Sequence, residues 1–522
     1  MQRKGVDPVK VIPKTEVGIS DGAIRDYPVR QSYGEKRNSS LEPSRRWLLL
    51  LIMAASALTA QAQTVAGSSR TVPAATVSTN QTATSQNLGS VPSGTATSEV
   101  LPLTLRDAIG RAVRYNLGVI ETGENARNAR GQRLIALSGL LPQVTASATQ
   151  TVNQISLVPS GISQARIPGV SFPAVIGPFS YVEAGGNLNW TLFSYESIQR
   201  FRAARTAEQA AQLSYNDTLD VITLTVGSIY LQVIEATSRI TAQEAQVRNA
   251  QASYDQALRQ FEAGTAPRID VTRTQVQLRT EQYNLSVTRN NFSIAKLTLS
   301  RAIGLPLGQA FQITDELPYA DISPPTVDEA LKLAFNTRSD SLSARAAQKA
   351  AERALSAAKA ERYPVAATNG NYSAVGSTFG QSRGTFTFQA GISIPVFTGG
   401  QIAGDIVQAE AAFRQRSAEA ENIRGQIDYD VRTAFFNLNA AIEQVAVTRQ
   451  NVDLANETLS RSKDRFASGV TDSVEVVQSE QSLASANDQY ITALYNHNVA
   501  KLSLARALGV ARTNYSQYLG GK

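Results

Sequence analysis

Between positions 431 and 466, Val431, Phe435, Leu438, Ile442, Val445, Val452, Leu459 and Phe466 stand in a polar, Ala-rich background at steps of four and three, then seven. A stripe of that period belongs to a long helix packed along a partner. The same seam occurs earlier at Val226, Tyr230, Val233, Ile240, Val247, Tyr254 and Phe261. After a glycine-containing turn, each is answered by a second stripe: Leu278, Leu285, Phe292 and Leu299 in one case, Leu483, Tyr490, His497 and Leu504 in the other. The pattern predicts two long helical hairpins, over about 199–305 and about 401–510. At 1.5 Å per residue, a helix of about sixty residues reaches roughly 90 Å, about three times the hydrocarbon thickness of a bilayer. Such helices project into an aqueous space.

Ahead of each hairpin the period changes to two. Phe386, Phe388, Ala390, Ile392, Ile394 and Val396 alternate with Thr, Gln, Gly, Ser and Pro, which is the pattern of a strand with one apolar face. Runs at 143–152, 185–193, 365–375 and 385–397 give four strands. Each is about the length that crosses a bilayer when tilted, and Trp190, Phe193 and Phe397 suit its interface. A half-buried soluble hairpin would show the same alternation. A helical segment precedes each strand pair, Leu103 to about Leu141 and Thr326 to about Arg362, ending before Pro142 and Pro364.

The two halves are copies. Phe261-Glu-Ala-Gly264 with Asp270-Val returns as Phe466-Ala-Ser-Gly469 with Glu475-Val, 205 positions on, and Ala302-Ile-Gly304 matches Ala507-Leu-Gly509 at the same offset. Thr104 pairs with Thr326 and Pro142 with Pro364, both 222 apart, so the first copy carries a Pro-rich insert of about 18 residues. Duplication replaces any domain count from length. The organisation is a first repeat at 99–305 (strands about 143–193), a linker at 306–325, a second repeat at 326–511 (strands about 365–397) and a tail at 512–522.

Arg45-Arg46 followed by the apolar run Trp47 to Leu58 and Thr-Ala60-Gln-Ala62 reads as an export signal with a long n-region, cleaved after Ala62; the general secretory route is favoured, with the twin-arginine route as the alternative that Ser44-Arg45-Arg46 raises. The run is too short for a permanent span. Residues 63–98 are mostly Ser, Thr, Ala, Gln and Val with one charge, Arg70, and are expected to be a disordered leader. The formal charge of +7 falls to +3 without residues 1–62, which leaves no footprint for nucleic acid. With no Cys and one His, which faces the seam, neither a metal site nor a nucleophilic triad has candidates. No cofactor and no enzyme activity are expected.

Four strands cannot close a spanning barrel, and open sheet edges are not tolerated in lipid, so several chains must share one barrel. The repeated Phe-x-x-Gly with its acid-Val pair, and the strand end Ile394-Pro395-Val396-Phe397-Thr398-Gly399-Gly400, resemble the TolC-type outer-membrane efflux family. The resemblance covers about 104–511. It implies a homotrimer, mainly α with membrane β, in which duplicated helical hairpins form a helical barrel in the periplasm. Four strands per chain would contribute to a shared twelve-stranded β-barrel in outer-membrane lipid. The implied function is an exit duct for a tripartite efflux pump or a type I secretion system, working with a periplasmic adaptor and an inner-membrane transporter. A periplasmic coiled-coil adaptor without a pore is the alternative, and it leaves the paired strands unexplained.

The resemblance also implies roles at the hairpin turns. Phe261, Gly264, Thr265, Phe466, Gly469 and Val470 correspond to adaptor-docking tips, and Asp270, Glu475 and Asp472 to the periplasmic aperture. By itself a Gly past a helix reads as a C-cap, and an early acid reads as helix capping, which fits Asp472 best. The family's usual gate Arg and Tyr are replaced by Thr471 and Phe466, which leaves Arg268 and Arg465 as substitutes for gate contacts.

Overall fold

In the computed structural model, residues 89–159, 173–315 and 325–514 are described, all within one compact unit, Val77–Lys522. The export signal over 1–62 and most of the leader lie outside the described residues, as do parts of the insert, linker and tail.

Each repeat starts with a broken helix rather than the single one the sequence suggested: α1 (Leu105–Tyr115) and α2 (Leu117–Ser138), then α5 (Val327–Thr337) and α6 (Ser339–Ala360). Thr104 with Asp107, and Thr326 with Glu329, form capping boxes at the two starts. The breaks fall at Asn116 and Arg338, both in extended backbone. The long hairpins are α3 (Tyr195–Glu262) with α4 (Arg268–Ala302), and α7 (Gln401–Ala467) with α8 (Ser473–Ala507). At 68 and 67 residues, α3 and α7 are each about 100 Å long.

Strands β2 (Gln143–Ser156), β3 (Val175–Phe193), β5 (Val365–Gly376) and β6 (Arg383–Ser393) form one antiparallel sheet in that order. Strand β3 begins ten residues before its expected start, and β6 stops at Ser393 instead of 397. Pro395 has no N–H for the ladder, and the chain turns into α7 through Gly399 and Gly400, both at positive φ. Phe397 is left outside the strand and 90% exposed. A short parallel pair, β1 (Leu101–Leu103) with β4 (Phe311–Ile313), lies where the sequence suggested helix and linker. The buried Tyr230 hydroxyl fastens it, donating to Leu103 O (3.0 Å) and Asp315 Oδ2 (2.8 Å).

The helices make a single-layer wall near the sheet, and toward the turns α4 also meets α8. Near the sheet their order is α2-α3-α6-α7, the order of the strands they join. Toward the turns, α4 replaces α2 beside α3, and α8 replaces α6 between α3 and α7. The replacements meet end to end. At the first joint Gly304 has φ +67, and a Cβ there would lie 2.6 Å from Tyr115 Cβ; at the second Gly509 has φ +73, and a Cβ would lie 2.8 Å from Arg338 N. Only glycine fits both conformation and space. Residues 89–93, expected to be disordered, instead strap the first joint, with Val91 N donating to Tyr115 O (2.8 Å) and Ser93 N to Gly304 O (3.0 Å).

The second joint is ionic. Arg338, with its side chain 4% exposed, pairs with Asp340 (2.7 Å) and Asp430 (2.9 Å), and Arg506 bonds Asp217. Burial works to raise the Asp340 carboxyl, but the hydrogen bonds and charge of Arg338, aided by Arg506, hold it below its usual value. Asp217 goes the other way: burial and the charge of Asp340 outweigh its contact with Arg506.

The apolar core follows the expected seams along α3 down to Ile234, where Val226, Tyr230 and Val233 are at most 1% exposed. Beyond it the buried line of α3 moves to Gln246, Ala250, Ser253 and Ala257, leaving the expected Val247 and Tyr254 half-buried and Phe261 exposed. The seams of α7 and α8 hold through Leu459, Phe466, Leu483 and the fully buried His497.

Candidate functional site: the hairpin tips

Both turns are built alike. Gly264 (φ +71) and Gly469 (φ +72) close α3 and α7, their N–H groups donating to Phe261 O (3.0 Å) and Phe466 O (3.1 Å). The next residues reach one position further back, Thr265 N to Gln260 O and Val470 N to Arg465 O, both 2.9 Å. These are paired Schellman caps, which satisfy the last carbonyls of each helix. Open space surrounds both glycines, so it is the backbone conformation that asks for Gly here.

Side chains then set the tips apart. Phe466 is 4% exposed and packs in an apolar cluster with Ala257, Leu459, Val476 and Leu483, whereas Phe261 is 40% exposed. The first tip is instead tied to the second by Gln260, which donates to Phe466 O at 3.2 Å. Exposed apolar side chains remain at Phe261, Ile269 and Val470. Above them Arg273 and Val276 of α4 face Val474 and Val477 of α8 across a groove of about 290 Å³.

The three acids assigned to an aperture have three different placements. Asp270 is 4% exposed and accepts from Ser473 Oγ at 2.6 Å, with Arg273 3.6 Å away. It lies inside the contact between the hairpins rather than on an open mouth, because the turn after Pro267 aims it at the start of α8. Glu475 is half-buried: it accepts from Thr471 Oγ1 at 2.5 Å and lies 3.6 Å from Arg465 Nη1. Asp472 caps α8, accepting from Val474 N at 3.2 Å. Arg268, expected beside the gate, is exposed at the start of α4 and makes no ion pair among the described residues, whereas Arg465 does meet an acid.

Sequence reasoning missed Ser473 and Gln260, which join the tips. It also missed a buried polar layer above them. There Ser253 donates to Glu480 (2.7 Å), and Gln243 and Gln277 donate to Glu281 (2.5 and 2.7 Å). Gln246 and Ser253 each stand one position before the apolar seam residues Val247 and Tyr254, so the seam itself gave no signal of this layer.

A family model described as outer membrane efflux protein matches residues 124–305 and 330–510. Among curated proteins, the outer membrane protein TolC of Escherichia coli is 25% identical over 353 residues, covering 63% of this chain and 71% of that protein. The alkaline protease secretion protein AprF of Pseudomonas aeruginosa is 23% identical over 334 residues, covering 62% and 69%. Among solved structures, the CmeC outer membrane channel of Campylobacter jejuni superposes with a TM-score of 0.67 at 14% identity, covering 83% of this chain and 94% of that one. At that identity the likeness speaks for the fold.

Proposed function

This chain belongs to the outer membrane efflux protein family, and from that premise we propose that it is the outer-membrane exit duct of an efflux or secretion assembly, working as a homotrimer. It sits in the outer membrane as a channel rather than an enzyme, and transport is driven by a pump in the inner membrane through a periplasmic adaptor.

The observation that carries the assembly is a wall with two unfinished edges. Strands β2 and β6 each have one neighbour in the sheet, and every residue of β6 is exposed. Neither edge is tolerable in lipid. Among the helices, α4 exposes Val276, Tyr283, Val287 and Ile294, spaced seven, four and seven apart. The opposite edge, α7, exposes Tyr429, Phe436, Val447 and Leu454, spaced seven, eleven and seven. Each set lies on one helix face. A second copy that joins its β2 and α4 edges to the β6 and α7 edges of the first pairs the strands and covers both stripes. Three copies close twelve strands into the barrel, and Trp190, Phe193, Tyr195 and Tyr363 gather at its periplasmic rim, the last two edge-to-face at 5.7 Å.

At the far end the tips take the adaptor, through Phe261, Gly264, Thr265, Ile269, Phe466, Gly469 and Val470. Glu475 supplies the charge of the aperture, with Arg465 as its counter-ion and Asp472 beside it. Asp270, closed under Ser473, positions the turn that carries them.

Single-particle imaging of the detergent-purified protein tests the assembly: a hollow threefold cylinder well over 100 Å long is expected. A rod without a barrel end, released from cells by osmotic shock alone, refutes it in favour of an adaptor. For the aperture, Glu475→Gln is expected to raise the relative anion permeability of reconstituted channels. Unchanged selectivity removes Glu475 from the aperture.

A further inference from the structure

The contact between the two hairpins changes character along its length. Toward the joints it is apolar, with Ile222, Val226 and Tyr230 of α3 in one cluster with Leu299 of α4 and Leu502 of α8. Toward the tips it includes two buried carboxylates, Glu281 of α4 (7% exposed) and Glu480 of α8 (3% exposed). Glu480 Oε1 accepts from Ser253, while Oε2 is buried with no hydrogen-bond partner among the described residues. Such an atom costs free energy for as long as it stays charged and dry.

Three helices face this carboxyl. α3 presents the neutral Ser253, α4 presents the like charge of Glu281, and α7 presents Lys463 at 3.9 Å, whose ammonium also donates to Asn249 (3.3 Å). Glu281 is itself held by Gln243 and Gln277 and cannot turn away without losing those bonds. Among the described residues the one cation paired with Glu480 thus stands just inside ion-pair range, and Glu281 makes no ion pair.

We propose that Glu480 makes the packing of the two hairpins above their tips pH-sensitive, fastening them when its carboxyl is protonated and loosening them when it ionises. Burial, reinforced by Glu281, pushes the Glu480 carboxyl above its usual value, against the opposing pull of Ser253 and Lys463. If the hairpins part, water reaches the group and the ordinary value returns. The packed arrangement therefore binds the proton more tightly. Its added stability is complete below the ordinary glutamate range and is lost as pH rises through the raised packed-state value. The consequence for transport, a tunnel end that loosens as pH rises, rests on the duct reading above.

Amide hydrogen exchange of the full chain in detergent tests the latch, with rates corrected for their intrinsic pH dependence. Over residues 243–257 and 473–490, protection is expected to fall several-fold from mildly acidic to mildly alkaline pH. Glu480→Gln, a neutral mimic of the protonated acid, is expected to keep protection high at both ends. Glu281→Gln removes the like charge and is expected to shift the midpoint to lower pH, which provides a second test should Glu480→Gln fail to fold. No fall in the wild type, or the same fall in Glu480→Gln, overturns the proposal. Conductance in planar bilayers separates it from the duct reading. The exchange result without any channel refutes the duct and keeps the latch; a channel with an unlatched exchange profile does the reverse.

Discussion

Where α4 meets the break between α1 and α2, the contact holds no ion pair among the described residues: Gly304 lies against Tyr115, its carbonyl accepts from the Arg111 guanidinium at 3.1 Å, Asn116 accepts from Gly118 N at 2.9 Å, and residues 89–93 are strapped across. Where α8 meets the break between α5 and α6, the corresponding contact is filled by Arg338, Asp340, Asp430, Asp217 and Arg506. The tips differ in the same manner, with Phe261 exposed in one copy and Phe466 buried in the other. In each pair the backbone device is shared, a positive-φ glycine followed by a crossing, while the side chains that fill it have diverged. Duplication constrains backbone turns because few residues can adopt them. Side chains only have to fill the space and satisfy the polar groups, which many combinations can do.

That contrast is broken most strongly at the second joint and the second tip. Arg338→Ala removes the buried guanidinium that pairs with the half-buried Asp340 and Asp430 and is expected to cost about 3 kcal/mol, whereas Asn116→Ala removes a cap and costs about 1 kcal/mol. Denaturant midpoints of the two variants measure the difference, and equal losses would mean that both joints depend on backbone contacts alone. Phe466→Ala is expected to cost about 3–5 kcal/mol and Phe261→Ala well under 1 kcal/mol. If Phe261→Ala instead abolishes export while leaving stability intact, the exposed ring is a docking group, as its place at the tip suggests.

The glycines sharpen the comparison at a smaller scale. Gly264→Ala and Gly469→Ala meet open space and pay only the cost of a left-handed backbone, about 1–2 kcal/mol each. Gly304→Ala and Gly509→Ala add an overlap with Tyr115 or Arg338 and are expected to lose more. Equal losses at all four positions would show that the joints have slack that the wall does not otherwise display.

Much of this architecture was legible because periodicity and repetition report backbone. The seams through Val431 to Phe466 and Leu483 to Leu504 gave the second hairpin, and the offset of 222 between Thr104 and Thr326 gave two matching helix starts. What escaped was whatever depends on one contact across the fold. Asn116 and Arg338 are ordinary helix residues until another helix end arrives at them. Tyr230 reads as one more seam residue until Asp315 reaches its hydroxyl from a segment taken as linker. Asp270 and Glu475 occupy equivalent positions in the repeat, yet Ser473 covers the first and Thr471 only restrains the second, so the repeat alone could not tell an enclosed acid from an accessible one.

The smallest expected effect concerns acid, and it follows from the opposed carboxyls of the second joint. Asp217 and Asp220 are raised, chiefly by burial, so what they contribute to the packed joint is complete below the ordinary aspartate range and declines as pH rises through their raised values. Asp340 is lowered, because the bonds and charge of Arg338 overcome its burial, so its contribution is present above the ordinary range and disappears as pH falls through the lowered value. Mild acidification therefore relieves Asp217 and Asp220 before it threatens Asp340, and the ionic joint should hold or gain slightly before failing in stronger acid. The neutral cap of the first joint has no such profile. Asp340→Asn is expected to weaken the second joint at neutral pH and to remove its steep acid limb, read as the pH dependence of the denaturant midpoint. An acid limb that survives in Asp340→Asn would move the sensitivity away from this joint, and the chemical distinction between the two joints would then carry no difference in their response to pH.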